Sequence, residues 1–153
     1  RQRVFDSAVG RVRAERLPGM MFPGLSPELR YLVLSAGLVL VYLSVHALLL
    51  HHQAGSRYSA GPRDEEFRPA GLAGRAARAF RNMLETFPVF AALIFTVELS
   101  NSADQWTAFG AALYFLARVA YLPAYLAGIP WVRSAIWNVS AIGIVILLWR
   151  LAV

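Results

Sequence analysis

The chain has 153 residues, 58% of them hydrophobic and 16% charged, with no cysteine and a mean hydropathy of +0.49. A soluble domain carries nearer ~25% charge, and the missing cysteines exclude a disulfide framework, a thiolate metal site and a catalytic Cys, so any thiol must arrive with a substrate. All 15 basic residues are Arg and the net charge is +6, yet most of the arginines sit in the tail, the first polar segment and the helix ends, where membrane proteins place headgroup-facing charge; this argues against nucleic acid as a partner.

Residues 1–25 read as a mobile basic tail on the membrane surface, with Arg1, Arg3, Arg11, Arg13 and Arg16 and the breakers Pro18, Gly19, Pro23 and Gly24. These residues lack the apolar core of a signal peptide, and Met20 and Met21 are alternative starts. Residues 26–153 form one four-helix transmembrane domain. The first helix is expected over about 27–52. Ser26 suits the N-cap, Pro27 the first helical position, and Glu28 the positive helix end. Tyr31–Leu50 then supplies 20 residues with Ser35, Ser44 and His46 as its polar members, enough to cross a hydrocarbon core of ~30 Å. The polar segment 53–70 reads as a solvent-facing loop able to fold over the mouth of a site.

The second helix is expected over about 70–99, amphipathic at first and apolar from Val89, with a kink at Pro88. After the polar turn 100–104, a third helix is expected over about 106–127 and a fourth over about 131–151, joined by the tight turn Gly128-Ile129-Pro130. Short connections imply an up-down bundle. The first and third connections then share one side, and the tail, second connection and C-terminus share the other.

Two polar stripes carry the functional signal. At about 100° per residue, Arg75, Arg78, Asn82 and Glu85 fall within roughly 80° of one another. On the third helix, Tyr114, Arg118, Tyr121 and Tyr125 are spaced i, i+4, i+7 and i+11, again one face. Arg118 lies near mid-span, where an unpaired charge costs ~2.5–3.5 kcal/mol on insertion scales. Arg133 opens the fourth helix. Guanidinium forks bind carboxylates, Glu85 can take an ammonium group, and Asn82 can bond a peptide unit. The set suits a zwitterionic, multiply charged small molecule. A nearby Arg or Tyr can stabilise a bound thiolate, as cationic surroundings lower a protein thiol's pKa.

The structural alternative is that Glu85 and Arg118 neutralise each other while Arg75 and Arg78 grip lipid phosphates. His46, His51 and His52 share no helical face and no Cys or paired acid joins them, so no metal site is expected. Trp131, Trp137 and Trp149 read as interface or packing residues. A small proton-coupled exporter would place an acid in the first span, and Tyr31–Leu50 contains none.

The run Arg78-Ala79, Asn82, Glu85 and Phe87-Pro88 resembles the signature of the MAPEG family, the membrane-associated proteins in eicosanoid and glutathione metabolism. Residues 60–65, Ala-Gly-Pro-Arg-Asp-Glu, look like the first loop of its bacterial branch. The resemblance covers about residues 27–151. The family includes microsomal glutathione transferases, a leukotriene-forming glutathione-conjugating synthase and a non-catalytic lipoxygenase-activating protein. It implies a four-helix protomer in a homotrimer, multi-pass in the membrane (here the bacterial inner membrane). Glutathione is then the co-substrate, bound between subunits by Arg75, Arg78, Asn82, Glu85, Arg118, Tyr121 and Tyr125. Arg133, by a one-residue register shift, resembles the arginine that activates the thiol, with Arg118 the second candidate for catalysis. Thr86 stands where some catalytic members carry Tyr, and His51 and His52 where some carry a basic residue. The function implied is glutathione-dependent conjugation or reduction of lipophilic electrophiles or lipid hydroperoxides arriving from the bilayer. The alternative is a non-catalytic lipid-binding or scaffold protein of the same fold.

Overall fold

The computed structural model describes residues 24–62, 64 and 67–153; most of the expected tail therefore lies outside the described residues. Four helices follow in chain order: α1 (Pro27–Ala60), α2 (Gly71–Leu99), α3 (Gln105–Ala127) and α4 (Pro130–Ala152). Each is long and apolar enough to cross a membrane. They form the four-helix up-down bundle that the sequence pattern implies.

α1 starts as its sequence dictates. The Ser26 hydroxyl accepts from the Leu29 N–H at 3.2 Å, with Pro27 in the first turn. It ends later than expected. Hydropathy marks where α1 leaves the bilayer, near Leu50, but no proline follows until Pro62, and Gln53, Ala54 and Arg57 suit a helix. The helical path is broken only at Gly55 (φ 79°, ψ 168°), a left-handed φ that suits glycine. The expected loop therefore shrinks to 61–70. Gln53 joins its far end to α1: its Oε1 accepts from the Ala70 N–H at 3.0 Å, at the N-cap of α2 where no side-chain cap exists.

α2 runs through Pro88, which withholds an N–H from the carbonyl of Leu84. The Thr86 hydroxyl bonds the Asn82 and Met83 carbonyls at 3.3 Å each. α3 is capped reciprocally. Asp104 Oδ1 accepts from the N–H groups of Trp106 (2.8 Å) and Thr107 (2.9 Å). Thr107 Oγ1 accepts in turn from the Asp104 N–H at 2.8 Å. Arg150, in the last turn of α4, donates from Nε and Nη2 to Asp104 Oδ2 at 2.9 and 2.5 Å. Glu28 is buried against the same end and accepts from Thr107 Oγ1 at 2.5 Å.

Between these ends, α3 and α4 pack backbone to backbone. A Cβ on Gly143 would stand 2.7 Å from the Gly110 carbonyl oxygen and 2.9 Å from the Tyr114 nitrogen. Small residues allow this approach where helix association in lipid relies on van der Waals contact. The core falls into two parts. Leu32, Phe90, Ile94, Val97, Tyr114 and Leu147 pack toward the capped end. Tyr42, Ala79, Met83, Tyr121, Leu122 and Tyr125 pack toward the other. The second part is rich in phenols, and the polar site adjoins it.

Two outcomes follow from this packing. Gly143→Ala should lower stability and Gly143→Val should lower it further, within the ~1–3 kcal/mol typical of overpacking, read by thermal unfolding in detergent. The Thr107 N–H and then Arg150 hold the Asp104 carboxyl below its ordinary range. A depressed carboxylate stabilises the fold above its unfolded pKa of about 3.9, and that contribution fades as pH falls through the lower folded value. The stability difference between the wild type and Asp104→Asn should therefore be full at neutral pH and shrink below about pH 4.

Candidate functional site

Arg118 organises the polar interior. It is 1% exposed, inside a span where water cannot solvate it. Its Nη1 donates to Asn82 Oδ1 at 2.7 Å. Its guanidinium carbon lies 5.4 Å from the Tyr114 ring centroid and 5.3 Å from that of Tyr121, so two ring faces supply negative potential. Its Nε has no hydrogen-bond partner. The amide nitrogen of Asn82 faces the other way, with Nδ2 donating to Glu85 Oε2 at 3.5 Å. No direct ion pair joins Glu85 and Arg118 among the described residues. The sequence-level alternative of mutual neutralisation is thus replaced by a relay through an amide.

Tyr42 of α1 fixes the backbone of the same region. Its hydroxyl donates to the Arg118 carbonyl at 2.7 Å. That carbonyl adjoins the one on Val119, which Pro123 leaves without its helical donor. Tyr114 stacks on Phe90 (centroids 4.0 Å apart) and its hydroxyl meets Thr86 Oγ1 at 3.1 Å. Thr86 is therefore bonded to a phenol from α3.

Beside this buried group a cavity of about 270 Å³ opens between α2, α3 and α4. Asn82 of α2, Tyr121 and Tyr125 of α3, and Arg133, Ser134, Trp137 and Asn138 of α4 line it. The Arg133 guanidinium carbon lies 5.0 Å from the Tyr125 ring centroid, and the Tyr121 and Tyr125 rings are 5.3 Å apart. Arg133 is half-buried, so it combines a held position with access to the opening. Trp137 also lines this cavity.

Of the sequence-selected residues, Asn82, Tyr121, Tyr125 and Arg133 meet at the cavity, and Arg118 stands directly behind Asn82. Glu85 is exposed and joins through Asn82. Arg78 is also exposed. Its Nη1 lies 3.4 Å from where a Gly74 Cβ would stand, so the side chain runs back along α2. The Arg75 side chain packs against the Gly128 turn, within 3.6–3.7 Å of a Cβ built there, with its Nε buried and without a hydrogen-bond partner. A guanidinium at the C-terminal end of α3 complements that helix's dipole. Arg75, Arg78 and Glu85 are not part of the cavity lining within one protomer.

Residues 31–153 match the family model described as the MAPEG family. The chain belongs to this family and is an integral, multi-pass membrane protein. No curated protein and no solved structure matches it.

Removing the amide that Arg118 holds should be costly. Asn82→Ala should destabilise the protein by roughly 1.5–3 kcal/mol, the range for hydrogen bonds to charged groups. The double variant Asn82→Leu/Arg118→Met should lose less than the sum of its single changes, because it removes the buried charge with its partner. Thermal unfolding of all variants in one detergent checks both.

Proposed function

We propose that this MAPEG chain is a glutathione-dependent transferase or peroxidase acting on lipophilic electrophiles or lipid hydroperoxides. One observation carries the reading: the half-buried Arg133 stands over Tyr125 at the edge of a cavity that also exposes Asn82 and Tyr121. A cation held on an aromatic face, at the edge of a cavity, is suited to stabilise a thiolate.

The division of labour follows from burial. Arg133 lines the cavity and is the thiolate-stabilising residue. Arg118 is enclosed, so it acts by positioning Asn82. Tyr121 and Tyr125 line the cavity and carry hydroxyls able to donate hydrogen bonds. Arg75 and Arg78 supply carboxylate-binding forks and Glu85 an acceptor for an ammonium group. Because Arg78 and Glu85 are exposed beside the cavity, a second copy of the chain in a homotrimer would complete the ligand's enclosure.

The chemistry needs no cysteine from the protein. In conjugation, the glutathione thiol loses its proton, and its sulfur forms a bond to the electrophilic carbon as a leaving group departs with the electron pair. In peroxide reduction, two glutathione thiols are oxidised to the disulfide while a hydroperoxide is reduced to an alcohol and water. The protein contributes proximity and a preorganised cation. The bilayer delivers the apolar reactant laterally.

Calorimetric titration of the detergent-solubilised protein with glutathione tests the reading. Saturable binding supports it, and no heat of binding up to millimolar ligand favours the non-catalytic lipid-binding or scaffold alternative. Arg133→Ala should abolish conjugation of a lipophilic electrophile while leaving the oligomer size unchanged on size-exclusion chromatography. Full activity in that variant would remove Arg133 from the mechanism.

A further inference from the structure

A second cavity, of about 410 Å³, lies between α1 and α2 at the end of the bundle that carries the connection 61–70. Its volume falls within the ~300–1,000 Å³ of small-molecule sites. Leu50, Phe67, Phe80 and Leu84 give it apolar walls, and Tyr58 and Arg81 are among its polar members. Phe80 stacks on His46 with ring centroids 5.7 Å apart. Tyr58 tilts against Phe67 at 5.3 Å. The first contact joins the two helices, and the second joins the segment beyond the Gly55 break to the connection.

The depth of this cavity is legible from the spans. Leu50 ends the apolar run of α1. Counting about 20 residues back from Leu99, the end of α2, puts the edge of the hydrocarbon core near Phe80. The cavity therefore straddles the hydrocarbon–headgroup boundary, apolar below and polar above. Arg81 stands at that boundary, exposed, and no hydrogen bond or ion pair engages it among the described residues. Among the described residues, no carboxylate lines the cavity. A guanidinium without a carboxylate selects for an anion, and its fork matches phosphate.

We propose that this groove binds one anionic phospholipid, with an acyl chain against Leu50, Phe80 and Leu84 and the phosphate on Arg81. The groove is lined by different residues from the thiol-site cavity, and the assignment stands independently of that reading. The bound lipid fills the gap between α1 and α2 beside the Gln53–Ala70 contact, bracing the entrance of α2.

The test uses the full chain in detergent, with no glutathione present. Thermal unfolding and native mass spectrometry are recorded with added phosphatidylglycerol, phosphatidylcholine or oleate. Phosphatidylglycerol should be retained on the chain and raise the midpoint, and phosphatidylcholine and oleate should do neither. Arg81→Gln should weaken phosphatidylglycerol binding roughly fivefold, the weight of one basic residue near a charged surface. Arg81→Lys should retain most of the preference. Leu84→Trp, which fills the apolar wall from a half-exposed position, should displace the lipid without removing the charge. Equal stabilisation by phosphatidylcholine or oleate would overturn the proposal, as would undiminished binding in Arg81→Gln. A change of oligomer size in Arg81→Gln would assign the groove to a subunit contact and overturn it too.

Discussion

A guanidinium enclosed in a membrane span, with no carboxylate touching it among the described residues, is the constraint on which this structure depends. Such a charge is tolerated only when its surroundings replace what water supplied. Arg118 receives an amide oxygen at 2.7 Å and two aromatic faces just over 5 Å away. Each of these partners is thereby fixed. Asn82 cannot swing freely, because one end of its amide is held by Arg118 and the other faces Glu85. Tyr114 and Tyr121 cannot leave without exposing the charge to hydrocarbon. The polar stripes of α2 and α3 are locked together by this one requirement.

The rest of the bundle maintains that geometry. The Gly110–Gly143 contact lets the α3 and α4 backbones meet, and Asp104 and Arg150 tie their far ends. At the near end, the Gly128 turn leads directly into Pro130 and Arg133. The α3–α4 pair is therefore a stiff hairpin that carries Tyr121 and Tyr125 on one arm and Arg133 and Trp137 on the other. α2 then closes the cavity with Asn82, while α1 contributes the Tyr42 hydroxyl from behind. The capped end holds the frame, and the end bearing Arg133 is where ligand chemistry is possible.

Four spans and their order were legible because each carries a long apolar run bounded by strong signals: Ser26-Pro27, the turn at 100–104, and Gly128-Ile129-Pro130. The α2 and α3 stripes were legible because helical periodicity alone places ionic groups on one face. Other features were not. Hydropathy reports where α1 exits the bilayer, not where its helix stops, so residues 53–60 read as loop although they are helical. In α4, Ser134, Trp137 and Asn138 look like isolated residues in an apolar span, and only the pairing with α3 shows that they share a wall with Arg133. The role of Tyr42 was hidden for a related reason: its ring reads as apolar in a hydrophobic run, while its hydroxyl has a buried carbonyl to satisfy. Its phenol among aliphatic neighbours was the signal available. Nor did spacing reveal that Asn82, rather than Glu85, is the direct partner of Arg118.

Thiolate formation tests the central claim most directly. Ultraviolet difference absorbance of the solubilised protein with added glutathione should show bound thiolate at pH values well below the ordinary pKa of a free thiol, about 8.5. That signal should vanish when Arg133 is neutralised and persist when Trp149, at the far end of α4 and outside the cavity lining, is changed. Glutathione that binds yet stays fully protonated until its ordinary titration range would contradict the account, because the cation at the cavity edge would then have no chemical role.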